Sequence, residues 1–132
     1  MRIRDADAGD YSDVERLHGD MGIDYELPNL AHPLFVVQKV AYEDGRLLGA
    51  CFLRLTAETY LWLDPALGPR AKMETMAALQ PEVLAHASAL GLDTIEACIP
   101  SEVEKRFAKR LIRLGWERCK DKWHQWSRLT RG

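Results

Sequence analysis

The sequence predicts a mixed α/β (α+β) domain, its sheet mostly antiparallel and flanked by helices, and three observations carry that expectation. Two apolar runs between Phe35 and Leu55 flank an Asp-Gly turn, the signature of a β-hairpin. The bulky run Tyr60-Leu61-Trp62-Leu63 suits a strand and breaks at Asp64-Pro65 and Gly68-Pro69. After Pro69 the apolar residues Met73, Met76, Leu79, Val83, Leu84, Ala87 and Leu90 return at spacings of three and four, those of one helix face, and Gly91 supplies the stop.

At 132 residues the chain fits one domain, expected over 1–132, and is long enough to bury a core without metal or disulfide staples. The opening MRIRDADAGDYSD has no apolar run of the signal-peptide kind, and no stretch approaches the roughly 20 apolar residues that span a bilayer. A cytoplasmic protein with no membrane partner is expected. Cys51, Cys98 and Cys119 are odd in number and far apart, which argues for reduced thiols and against a zinc or other metal site. Cys51 and Cys98 lie in strand-like runs and are expected as small core residues. Residues 100–132 hold ten Lys and Arg against four Asp and Glu, whereas residues 1–69 hold six against twelve. Such asymmetry steers an anionic ligand or nucleic acid, a solvated helix face being the commoner reason for it.

In chain order, Arg2-Ile3-Arg4 reads as a first strand. Asp10 then has the place of a helix N-cap, with Asp13 three residues on. Val14, Leu17, His18 and Met21 follow at helical spacing up to Gly22, with His18 expected as a hydrogen-bonded core histidine. Residues 23–33 hold two prolines and no period, so they read as a loop, and Tyr25, Glu26 and His32 are its candidates for substrate contact. Strands are expected over 35–42 and 47–55. Along the next one Glu58, Tyr60 and Trp62 alternate with Thr59, Leu61 and Leu63, so the two sets face opposite sides of a sheet. The long helix leads to a short strand over 93–99, placed by the helical crossover to run parallel to the 58–63 strand. Ser101 and Glu104 have capping-box spacing before a helix with Val103, Phe107, Leu111 and Leu114 on one face and Lys105, Arg106, Lys109, Arg110 and Arg113 on the other. A hairpin-like segment over 116–129 closes the chain.

This order of elements resembles the GNAT superfamily of acyl-CoA N-acyltransferases over almost the whole chain. Four stretches carry the resemblance: Ile3-Arg4-Asp5-Ala6 with Asp10 and Leu17; the hairpin from Val40 through Asp44-Gly45 to Gly49; Leu63-Asp64-Pro65 leading to Arg70; and Leu111-Ile112-Arg113-Leu114-Gly115-Trp116, similar to that family's helix ending in Leu-Gly-Phe.

The resemblance implies a twisted sheet with a splayed parallel strand pair. The pantetheine arm of an acyl-CoA lies in that splay, here near Leu61, Trp62 and Leu63. It also implies a diphosphate held by main-chain amides at the next helix start, here Arg70, Ala71, Lys72, Met73, Glu74 and Thr75. Arg70 matches the family's loop, whereas Met73 and Thr75 stand where it has small residues, which hinders close approach of the main chain. Glu58 has the place of the carboxylate base, and Leu111 that of the tyrosine acid. The implied activity is acetyl-CoA-dependent N-acetyl transfer to an amine of a small molecule or protein. The first alternative keeps the fold and at most CoA binding without transfer. The lower alternative is a nucleic-acid-binding module using Lys105, Lys109, Arg113, Lys120 and Lys122 with Trp116, Trp123 and Trp126, ranked last because end-strand tryptophans more often fill a core or an interface. A homodimer is compatible with the sequence.

Overall fold

The computed structural model describes residues 1–119, 126 and 128–131. They are mixed α/β, with a three-stranded antiparallel sheet and three α-helices, and they form two compact units. The first is Met1–Leu61 with Pro81–Ala97, the second Trp62–Gln80 with Cys98–Gly132. The division falls inside one helix, Pro69–Ala89, between Gln80 and Pro81. Proline has no N–H, so the helix loses the bond to the Ala77 carbonyl at that point.

In the first unit β1 (Arg2–Asp5) and β3 (Arg46–Arg54) flank β2 (Phe35–Glu43). The β2–β3 turn is Asp44-Gly45, with φ of 50° and 76°. Two successive positive φ values make the two-residue turn whose twist matches that of its strands, and Asp-Gly is a pair that tolerates it. Register then follows from the turn: Glu43 faces Arg46 and Tyr42 faces Leu47.

A bulge comes next, because Ala41 faces Gly49 and Leu48 is left over. It sends Leu47 inward and leaves Leu48 out, 4% and 43% exposed respectively. Gln38, Val40 and Tyr42 share one face of β2, and Val40 is the most completely buried side chain of the core. Helix α1 (Tyr11–Met21) covers that face. Tyr11 donates its hydroxyl to Gln38 Oε1 at 2.9 Å and sets its ring edge against Phe52, which meets Phe35 in the same manner. The opposite face carries Ile3, Val37 and Leu53, all exposed. Cys51, paired with Lys39, belongs to that outer face. Cys51 and Cys98 are therefore not core residues: both are exposed.

Asp10 does not cap α1. Its φ and ψ are already helical and its side chain caps nothing there. Asp7 is the cap instead: its carboxylate takes the Gly9 N–H, and Asp10 reaches back to the Asp7 N–H at 2.9 Å, a capping box one turn early, on the 3-10 turn Ala8–Asp10. Asp10 is buried, and Arg4 from β1 clasps both its oxygens at 2.7 and 2.8 Å. A buried carboxylate needs such partners, and the fork of an arginine supplies two in one plane. Gly22, at φ 66°, ends α1 as expected.

The strands expected over 58–63 and 93–99 reduce to one parallel bridge, Glu58 with Glu96. Thr59 N–H donates to the Glu96 carbonyl at 2.6 Å, and Glu96 N–H to Ala57 at 2.8 Å. Aromatic and branched residues favour strands only when a half-buried sheet surface is there to receive them, and Tyr60 is 68% exposed.

Helix α2 (Pro69–Ala89) ends in a Schellman motif. Gly91, at φ 82°, donates to Ser88 and Leu92 to Ala87. In the second unit Met76 is buried on its first half. Helix α3 (Ser101–Arg113) closes in the same way through Gly115, with Trp116 N–H on the Leu111 carbonyl. Its start differs from expectation: Ser101 makes no capping box, and the Pro100 carbonyl takes the Val103 and Glu104 amides instead. Gln80 joins α2 to the end of α3, donating to the Leu114 carbonyl and accepting the Trp116 indole N–H, both at 2.8 Å. Residues 116–119 form no strand, and the rest of the hairpin expected over 116–129 falls largely outside the described residues. Among the described residues no helix is long and apolar enough to cross a membrane.

Candidate functional site

The residues assigned by resemblance fall in both units. In the first, Glu58 sits at the parallel bridge, exposed, and takes a hydrogen bond from the Tyr60 hydroxyl at 2.7 Å. Bridge partners project to the same side of their backbones, so the Glu58 and Glu96 side chains leave the same side of the bridge. The arrangement can take a proton at Glu58 Oε1, the oxygen that Tyr60 does not hold. Leu61 follows, exposed.

In the second unit Trp62 is exposed and Leu63 half-buried. The loop turns at Asp64, whose carboxylate takes the Ala66 N–H at 2.9 Å, and reaches α2 at Pro69. Proline at the first helical position removes one donor, and the first amide bonded back into the turn is Lys72, to the Gly68 carbonyl at 3.0 Å. Arg70 and Ala71 therefore present main-chain N–H groups with no helical carbonyl behind them, at the positive end of the helix dipole. The Arg70 side chain turns along the helix to Glu74, Nε to Oε1 2.9 Å, and is 93% exposed. Thr75 returns its hydroxyl to the Ala71 carbonyl at 2.7 Å, and Met73 is half-buried.

The loop candidates lie in the first unit. His18 Nε2 donates to the Tyr25 carbonyl at 2.9 Å, and the two rings meet edge to face at 4.6 Å, so the histidine is hydrogen-bonded as expected but half-buried rather than in the core. Glu26 is exposed. His32 is held at both nitrogens: Leu34 N–H donates to Nδ1 at 3.1 Å, which leaves the proton on Nε2, 3.4 Å from Asp93. Arg54 at the end of β3 grips the same Asp93 oxygen and holds that carboxyl below its ordinary range. His32, Arg54 and Asp93 thus pin the start of β2, the end of β3 and the segment leading to Glu96 to one another.

A second cluster escapes sequence reasoning altogether. The Tyr42 hydroxyl lies 3.0 Å from Asp10 and 2.9 Å from Asp13, so two carboxylates share its one proton. Burial, and then those two acceptors, push the phenol up to about 12. The Arg4 fork and then the Asp7 amide hold Asp10 far below the carboxylate range. Arg4 also lies over the Tyr42 ring, 5.0 Å from its centroid. Every polar group in this cluster faces another, which fits a structural clasp.

An open hollow of about 580 Å³ lies beside β2, lined by Asp5, Ala6 and residues 35–39. It holds the Lys39–Asp5 ion pair and no nucleophile. Among the described residues no three His, Cys, Asp or Glu side chains gather as a metal would require. Comparison with protein-family models, with curated proteins and with solved structures gives no significant match to this chain.

Proposed function

We propose that this chain is an acyl-CoA-dependent N-acyltransferase of the GNAT kind, with acetyl-CoA as donor and an amine of a small molecule or protein as acceptor. The observation that carries the reading is the parallel Glu58–Glu96 bridge, which follows an antiparallel β1-β2-β3 sheet and precedes a helix whose first amides are free. A diphosphate seats on amides at a helix start. In this reading Leu61, Trp62 and Leu63 lie along the arm, and Arg70 and Ala71 amides face the diphosphate. Lys72, Met73, Glu74 and Thr75 form the turn behind them.

Acyl transfer requires a neutral amine, and Glu58 is the group that takes its proton. Tyr60, bonded to the other oxygen, orients that carboxylate. Leu111 offers no acid for the departing thiolate, so alignment of amine and thioester has to supply much of the rate. That residue, with Met73 and Thr75 in the helix turn, also favours the second reading: a protein of the same fold that binds CoA without transferring from it.

A thermal-shift titration with CoA tests the binding that both readings share. Saturating to a hundred times Kd stabilises by about 2.7 kcal/mol, and Arg70→Pro, which removes one of the free α2 amides at a position in the first helical turn that tolerates proline, is expected to shrink the shift. No shift at millimolar CoA rejects the first reading and the CoA-binding form of the second. Thiol release from acetyl-CoA over a panel of amines then separates enzyme from binder.

A further inference from the structure

We propose that the outward face of α3 docks a nucleic-acid strand through its phosphates, an interaction independent of the acyl-CoA reading. Lys105, Lys109 and Arg113 follow one another at steps of four residues, about 6 Å along the helix each, and Arg106 lies beside them. All four are exposed. None of them pairs with a carboxylate among the described residues, whereas Arg4, Lys39, Arg54, Arg70 and Arg118 each hold one. Glu102, in the first turn, is the acidic residue of that face, and Glu104 serves Arg118 instead. Like charges at steps of four work against the helix that carries them. A polyanion laid along the row removes that repulsion and releases its own counterions.

The choice of polyanion follows from the other side of the helix. Val103, Phe107, Leu111 and Leu114 are half-buried in the protein. An interfacial helix buries its apolar stripe in lipid and keeps its cations at the rim, and here the stripe is already engaged. A phosphodiester strand asks only for cations at turn spacing. The row itself holds no aromatic ring for a base to stack on. Binding is therefore indifferent to sequence, carried by charge alone.

The test is anisotropy of a short labelled single strand titrated with the full chain across salt. Four neutralised phosphates give a log–log slope of about −2.8, roughly fifty-fold weaker binding from 50 to 200 mM salt. Lys109→Gln is expected to flatten the slope by about 0.7. Lys105→Gln with Lys109→Gln and Arg113→Gln removes most of the binding, with helix content checked by circular dichroism. Phosphatidylserine vesicles are the membrane arm, and no co-sedimentation with them is expected. The proposal is overturned by absence of binding at 50 mM salt, by a slope that Lys109→Gln leaves unchanged, or by capture on vesicles without capture of the strand.

Discussion

Replacing Gly45 and Gly49 by alanine, one at a time, separates backbone strain from packing in the hairpin that orders the sheet. The two positions are four residues apart, and a Cβ added at either meets nothing within 4 Å. Only the backbone differs: Gly45 has φ 76°, and Gly49 lies outside the positive-φ region. Alanine restricts the unfolded chain equally at both sites, worth about 0.4–1 kcal/mol in favour of folding. At Gly45 it also incurs the left-handed conformation, about 1–2 kcal/mol. The unfolded contribution cancels between the variants, so they are expected to differ by about 1–2 kcal/mol, with Gly49→Ala the more stable. One kcal/mol moves the midpoint of a chain of 132 residues by about 4 °C, so melting curves resolve it. Gly45→Asn is expected to recover most of the loss, because asparagine visits this region readily. Equal stability of the two alanine variants would refute the positive-φ turn and the register that follows from it.

The β3 bulge is tested by Leu47→Ala against Leu48→Ala: about 2–5 kcal/mol for the buried residue and within about 0.5 kcal/mol for its exposed neighbour, by urea denaturation. Gln80→Leu leaves the Leu114 carbonyl and the Trp116 indole without their partner, which costs about 1–3 kcal/mol and alters tryptophan emission. Stability also depends on pH at both ends. Asp10 and Asp93 are depressed on folding, so their contribution is present above the unfolded value of 3.8 and is lost as pH falls below it. Tyr42 is raised, so its contribution holds below pH 10 and disappears as pH climbs through about 12. Acid titration of Arg4→Met is expected to show a shallower loss, and an unchanged curve would contradict the clasp. Glu96→Gln relieves the like charges at the parallel bridge and is expected to gain a few tenths of a kcal/mol, read from the same melts.

The parts of this fold legible in the sequence are those decided within a few residues. Asp44-Gly45 specifies its turn because both residues tolerate positive φ. Gly22, Gly91 and Gly115 end their helices because each must adopt a left-handed conformation. Contacts between distant residues left no local trace. Asp10 has the spacing of a cap, yet Arg4 and Tyr42 draw it into the core, and Asp7 caps in its place. His32 looked free for substrate until Leu34 and Asp93 took its two nitrogens, and neither is a neighbour that periodicity would single out. The run Tyr60-Leu61-Trp62 showed the limit of propensity, since bulky residues mark a strand only where a partner edge receives them. Of the residues assigned by resemblance, the start of α2 was legible through Gly68-Pro69, whereas the Glu58–Tyr60 bond and the turn of Arg70 toward Glu74 depend on side-chain rotamers.

The acyl-CoA reading stands on free main-chain donors at the head of α2, and amide chemical shifts recorded during a CoA titration address them directly. The account predicts saturable shifts concentrated at Arg70 and Ala71, extending to Leu61, Trp62 and Leu63. Shifts confined to Lys105, Lys109 and Arg113, or none at millimolar CoA, would contradict it.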